Sequence, residues 1–254
     1  MKKRTVLIIV VINFLIIVAI NLLDKPEEPN LGLEKLKVEF AKEDISSVDH
    51  TKFEILQQDF ESPQAVTEAC LSCHTERHKE IMESSHWNWE RVSYVEGKGI
   101  KALGKKNVIN NFCISSQSNE QACASCHIGF GMSDDHFDFN NAQNVDCMVC
   151  HDNSEEYLKG SAAAGYPARE VNLSKVAQSV GDPLKSNCGT CHFYSGGGNN
   201  VKHGDLEEAL LATTREVDVH MAANGIDMTC VDCHTAENHD MKGRLYSVSS
   251  ENTH

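Results

Sequence analysis

Ten of the eleven cysteines in this 254-residue chain fall into Cys-x-x-Cys pairs, and each pair is followed at once by histidine. The motifs are Cys70/Cys73–His74, Cys123/Cys126–His127, Cys147/Cys150–His151, Cys188/Cys191–His192 and Cys230/Cys233–His234. Cysteines at this spacing serve zinc knuckles, disulfides or c-type haem attachment. Zinc takes four ligands and has no use for a histidine behind every second thiol, and five pairs do not divide into four-thiol sites. Haem uses all three residues. The thiols bond the porphyrin vinyl groups, and the imidazole reaches the iron from the same turn. With 13 histidines in the chain, five such placements arise by chance roughly once in a few million sequences. The expectation is five covalently bound haem c groups, attached through these ten cysteines, with these five histidines on the irons.

A low-spin electron-transfer haem takes a second axial ligand. Eight histidines stand outside the motifs: His50, His78, His86, His136, His203, His220, His239 and His254. His86 in SSHWNWE, His203 in VKHGDL, His220 in VDVHMA and His239 in ENHDMKGR lie within the motif-bearing region and are the candidates for distal ligands. His78, four residues beyond its own motif, and His136 in DDHFDF rank behind them. His50 and His254 read as surface residues. The eleventh cysteine, Cys113 in NNFCISS, has no partner at motif spacing. A lone cysteine is a small buried hydrophobe, a link to another chain or a reactive thiol.

The elements that position these residues have little chain to work with. Outside the first 23 residues each motif has about 46 residues to itself, too few for an ordinary aliphatic core around every cofactor. The expected fold is mainly α with extensive irregular loops and little sheet, a multihaem cytochrome c built around packed haems. Ser62 is a cap and Pro63 the first residue of a helix leading to Cys70 and Cys73. Residues 24–64 carry no cysteine and are rich in charge; LGLEKLKVEFAKE suggests a short amphipathic helix within a spacer. The expected domains are therefore 1–23, 24–64 and 65–254.

Residues 5–23 are nearly unbroken apolar sequence, long enough to span a bilayer. Lys2, Lys3 and Arg4 precede the run and Asp24, Glu27 and Glu28 follow it, which orients the rest of the chain to the extracytoplasmic, periplasmic side. Such a run serves as an uncleaved membrane anchor or as a secretory signal; its length, and the absence of a small-x-small cleavage site, favour the anchor. The formal charge of −14 argues against a nucleic-acid partner.

The ordered segments ACLSCHTE, HWNW, NNFCISS, CASCHIGFG, FDF, VDCMVCHD, CGTCHFYSGGGNNVKHGDL, DVHM and CHTAENHDMKGR resemble the octahaem tetrathionate reductase family of multihaem cytochromes over about residues 68–248. The resemblance implies that the haem on Cys123, Cys126 and His127 is the active site, with Lys202 in place of a second histidine. It also implies that Asn110 and Cys113 line the substrate pocket. A ligating lysine must be the neutral amine, and an ionised thiol beside iron could exchange with a sulfur–sulfur bond. The family has aspartate three residues before the lysine; here it is Asn199, which cannot accept a proton as a carboxylate does. The family also continues towards three more haems, where this chain ends in GRLYSVSSENTH.

Two functions follow. One is an anchored reductase that passes electrons to a Lys202-ligated haem and reduces a small nitrogen or sulfur compound of the nitrite, hydroxylamine or tetrathionate class. The other is an electron-transfer conduit, or one half of a split octahaem enzyme. The expected partners are the membrane, redox proteins, a chain carrying further haems or a second copy, and for the reductase a small-molecule substrate.

Overall fold

The computed structural model of the chain describes residues 3–23, 30–39, 48–104, 119–194, 199 and 206–243. Two compact units divide it, residues 1–42 and 43–254. The first holds helix α1 (Lys3–Leu23) and helix α2 (Leu31–Glu39). Asn30 starts α2 by accepting the Leu33 amide on its side-chain oxygen at 3.1 Å. Among the residues described, no helix is long and apolar enough to cross a membrane, so the anchor expected from the apolar run is not supported by the structure.

The second unit is built from short helices: α3 (Pro63–Cys73), α4 (Arg77–Glu83), α5 (Ser85–Asn88), α6 (Glu120–Cys123), α7 (Met148–His151), α8 (Leu173–Gln178), α9 (Lys185–His192) and α10 (Cys230–Cys233). Its one described sheet is an antiparallel hairpin, β1 (Glu90–Val95) with β2 (Gly99–Gly104), in the register Tyr94 opposite Ile100. The expected class, helical with irregular loops and little sheet, is what the chain adopts. Pro63 opens α3, and the Ser62 hydroxyl accepts the Ala65 amide at 3.2 Å, the expected start. The segment 48–62, expected within the spacer, belongs to the larger unit, where Gln178 donates to the Leu56 carbonyl and Ser174 to that of Gln58.

A side-chain core is present, more than cofactor packing alone would require. Trp87, Phe130, Met132, Val66 and Val176 are fully buried. Cys70, Cys123, Cys147 and Cys150 pack against the margin of this cluster. The core is thus a platform beneath the attachment cysteines of the first three motifs. Trp87 anchors it, donating from its indole to the Phe139 carbonyl at 3.0 Å and meeting Phe137 and Phe139 edge-on.

Backbone pairing then knits the motifs together. The strip after the second motif pairs with the strip before the third, through Gly129 opposite Val145, Phe130 N–H to Asn144 O (2.9 Å) and Asp146 N–H to Ile128 O (3.1 Å). Thr67 on α3 donates to the Val145 carbonyl at 2.7 Å and ties in the first motif. Asn187 on α9 donates to the Asp152 carbonyl at 2.8 Å and joins the fourth motif to the third.

Candidate functional site

Each described motif lies on or beside a short helix, and in three of them an α-turn brings the histidine back to its first cysteine, while the His127 amide reaches only the Ala124 carbonyl. The His74 and His234 amides donate to Cys70 O and Cys230 O at 2.8 Å, and the His151 amide to Cys147 O at 3.2 Å. Two thiols and one imidazole therefore share one face of one turn, as covalent attachment with axial ligation requires.

Three motif histidines stand opposite histidines from elsewhere in the chain. The ring centroids are 6.4 Å apart for His74 and His50, 6.1 Å for His192 and His86, and 6.2 Å for His151 and His239. These separations suit an ion held between the rings. Two metal–nitrogen bonds of about 2 Å each, plus the depth of two rings, put imidazole centroids roughly 6 Å apart. Among the described residues the other grouping of metal-binding side chains is the exposed Asp134–Asp135–His136 run, and no cysteine cluster at zinc-site spacing occurs.

The Nδ1 contacts agree. His151 Nδ1 faces the Gly181 carbonyl at 2.8 Å, His234 Nδ1 that of Lys242 at 3.1 Å, His127 Nδ1 that of His86 at 3.3 Å, and His239 Nδ1 a Glu80 carboxylate oxygen at 2.9 Å. A proton on Nδ1 leaves the lone pair on Nε2, the nitrogen that ligates iron. Desolvation, and then the charge of the facing imidazole, hold His50 and His86 below the ordinary histidine value. Desolvation also lowers His151, against the Gly181 carbonyl, which favours its cation. A neutral ring is the form a metal needs.

The motifs are also close to one another. Thiols of different motifs act on one another: Cys147 lowers the Cys70 thiol, Cys188 lowers that of Cys230, and Cys126 raises that of Cys191. The Cys191 thiol also lies 3.9 Å from the Ser125 carbonyl of the second motif.

The second motif has surroundings of its own. Trp89 lies flat on the His127 ring, centroids 4.2 Å apart and planes 23° from parallel. Its backbone adopts φ 60°, a conformation strained for a bulky side chain. Lys159 donates to the carbonyls of His127 and Ala124. Neither Trp89 nor Lys159 was indicated by the sequence, since neither sits at a motif spacing.

His86 and His239, expected as distal ligands, stand in the ring pairs. His50, read from the sequence as a surface residue, occupies the third pair. His220 is exposed beside Asp218, at 3.9 Å, and joins no described ring pair. His78 has a buried Nδ1 without a hydrogen-bond partner, and His136 is exposed against Asp135. Asn199 is exposed and bonded to Glu208 twice, donating to its carboxylate at 2.8 Å and accepting its amide at 3.1 Å. Asn110, Cys113, Lys202, His203 and His254 lie outside the described residues.

A crystal structure of octahaem cytochrome c from Shewanella oneidensis matches 80% of the chain with 41% sequence identity and a TM-score of 0.72. Motifs, facing imidazoles and fold now coincide. The protein is a multihaem c-type cytochrome. It carries covalently bound haem c, and its resemblance to the octahaem cytochromes extends through the fold. The chain spans 45% of the length of that octahaem cytochrome. A protein of Archaeoglobus fulgidus described only as uncharacterized is 23% identical over 251 residues, covering 78% of this chain and 82% of its own length. No family model matches the sequence.

Proposed function

We propose that this cytochrome holds five haems, one on each motif, and carries electrons on the extracytoplasmic side of a membrane. The three facing imidazole pairs carry this reading, because their spacing is that of paired axial ligands. Bound haem supplies one-electron storage and transfer at iron. The protein's own part is to fix the imidazole pairs, favour the neutral form of His50, His86, His151 and His192 by desolvation, and hold neighbouring motifs together. The apolar run at residues 5–23 acts as the membrane anchor in this proposal, on the strength of its sequence alone.

The second motif is the proposed site of substrate reduction. Lys202 would take the place of a second imidazole there, Cys113 and Asn110 would line the pocket, and Asn199 would hydrogen-bond near the lysine. The substrate would be a small nitrogen or sulfur compound of the nitrite, hydroxylamine or tetrathionate class. The distinct surroundings of His127 support treating this motif apart from the others.

The test is turnover by the purified haem-loaded protein, with reduced viologen as donor and nitrite, hydroxylamine and tetrathionate offered in turn. Turnover of one of them, abolished in Lys202→Ala, is the expected result. Full reduction of all haems by viologen, with no turnover of any of the three, would overturn the reductase reading. That outcome would favour a conduit or one half of a larger assembly, a reading to which the chain's 45% span of the octahaem cytochrome also lends weight.

A further inference from the structure

The second and third motifs share a buried ion pair. Lys159 Nζ and Asp146 Oδ2 lie 3.2 Å apart, with side chains 3% and 0% exposed. The hydrogen bonds of the two groups reach different motifs. The ammonium donates to the carbonyls of Ala124 and His127, inside and at the end of the second motif. The carboxylate belongs to the residue just before Cys147, and its other oxygen accepts the Val149 amide at 3.1 Å, in the first turn of α7. Tyr157 donates to Asp146 Oδ2 at 2.8 Å and completes its shell.

Burying such a pair is poor economy for stability alone. Desolvating two ions is costly, and a well-packed apolar pair does as well or better. Fixed charges held in a dry interior act strongly on neighbouring redox centres, however, because the surrounding dielectric is low. The dipole has a definite sense, positive towards the Cys123–His127 loop and negative towards the Cys147–His151 loop.

We propose that Lys159 and Asp146 form a fixed dipole that separates the reduction potentials of two adjacent haems, making the one on Cys123/Cys126 easier to reduce than the one on Cys147/Cys150. Positive charge beside a haem disfavours its oxidised, more positive state and raises its potential; the carboxylate does the reverse. The inference rests on the reading that both motifs hold haem. Lys159 and Asp146 touch neither substrate nor iron and act by their charge.

Potentiometric titration of the full haem-loaded chain tests this, followed optically and by electron paramagnetic resonance. The couples of the second and third motifs are those lost in Cys123→Ser/Cys126→Ser and in Cys147→Ser/Cys150→Ser. In Lys159→Met the second-motif couple falls more than any other, with at least a tenfold change in its reduced-to-oxidised ratio, about 59 mV for one electron. Lys159→Arg keeps the charge and returns the couple to within threefold of the wild-type ratio. In Asp146→Asn the third-motif couple rises furthest, so this variant carries the test if Lys159→Met does not take up its haems. A second-motif couple that stays in place, or a uniform shift of all couples, overturns the proposal. Wild-type protein lacking haem at either motif would instead overturn the reading beneath it, and a haem count separates the two failures.

Discussion

At the residue scale, the histidines inside the motifs were legible because attachment fixes their spacing to within one turn. The partners of three of them were not legible in the same way. His50 and His74 are 24 residues apart and His86 and His192 are 106 apart, so no local pattern joins them. His86 and His239 were singled out by their neighbourhoods. His50 was passed over because it precedes the motifs and sits in charged sequence; only the packing of residues 48–62 against α8 brings it to His74. Its Nδ1 is buried without a partner, which ties its fate to the ring it faces. His50→Ala therefore converts one haem from paired imidazoles to a single one. The expected readout is new high-spin absorption from one haem, with the others unchanged. Trp89→Leu removes the flat contact on His127 and relieves none of the φ 60° backbone. It should shift the redox couple of the second motif while leaving the total haem content intact, as a haem assay and titration would show.

At the scale of elements, the start of α3 was read correctly because capping is local chemistry: Ser62 accepts the third amide and Pro63 has none to lose. The joints between motifs were not readable, because they depend on which strips of chain meet. Thr67 shows the difference. Within α3 it is an unremarkable helical residue, yet it is 1% exposed and donates across to Val145 O at 2.7 Å. Thr67→Val should leave that buried carbonyl unsatisfied, costing about 1–3 kcal/mol, measurable by thermal or denaturant unfolding of the haem-loaded protein. Gly165 is a second such joint. Its φ is 85°, and an added Cβ would stand 1.8 Å from the Gly129 carbonyl oxygen, in the strip after the second motif. Gly165→Ala should cost more than about 1 kcal/mol, since it combines an unfavourable φ with a backbone clash. Ser62→Ala, losing only a cap, should cost about 1 kcal/mol, which makes it a useful comparison.

At the scale of the whole molecule, the sequence disclosed a helical, loop-rich chain organised by its attachment motifs, and the fold has that character. Chain length and composition suggested a core that is largely cofactor. Side chains contribute a core of their own under the first three motifs, with Trp87 and Phe130 fully buried. Those aromatics come from HWNW and HIGF, short strips whose convergence no periodicity announces. Chain produced without covalent haem should unfold at a markedly lower temperature than the loaded protein, because the attached porphyrins bury apolar surface and gain their second axial ligands only on folding; circular dichroism melting of the two forms checks this. The central claim is that His50/His74, His86/His192 and His151/His239 are axial pairs. Its most direct measurement is near-infrared magnetic circular dichroism with electron paramagnetic resonance on the oxidised, haem-loaded protein. The account predicts at least three haems with two imidazole ligands, one of which loses that signature in each of His50→Ala, His86→Ala and His239→Ala. Paired-imidazole signals that persist undiminished in all three variants would contradict it.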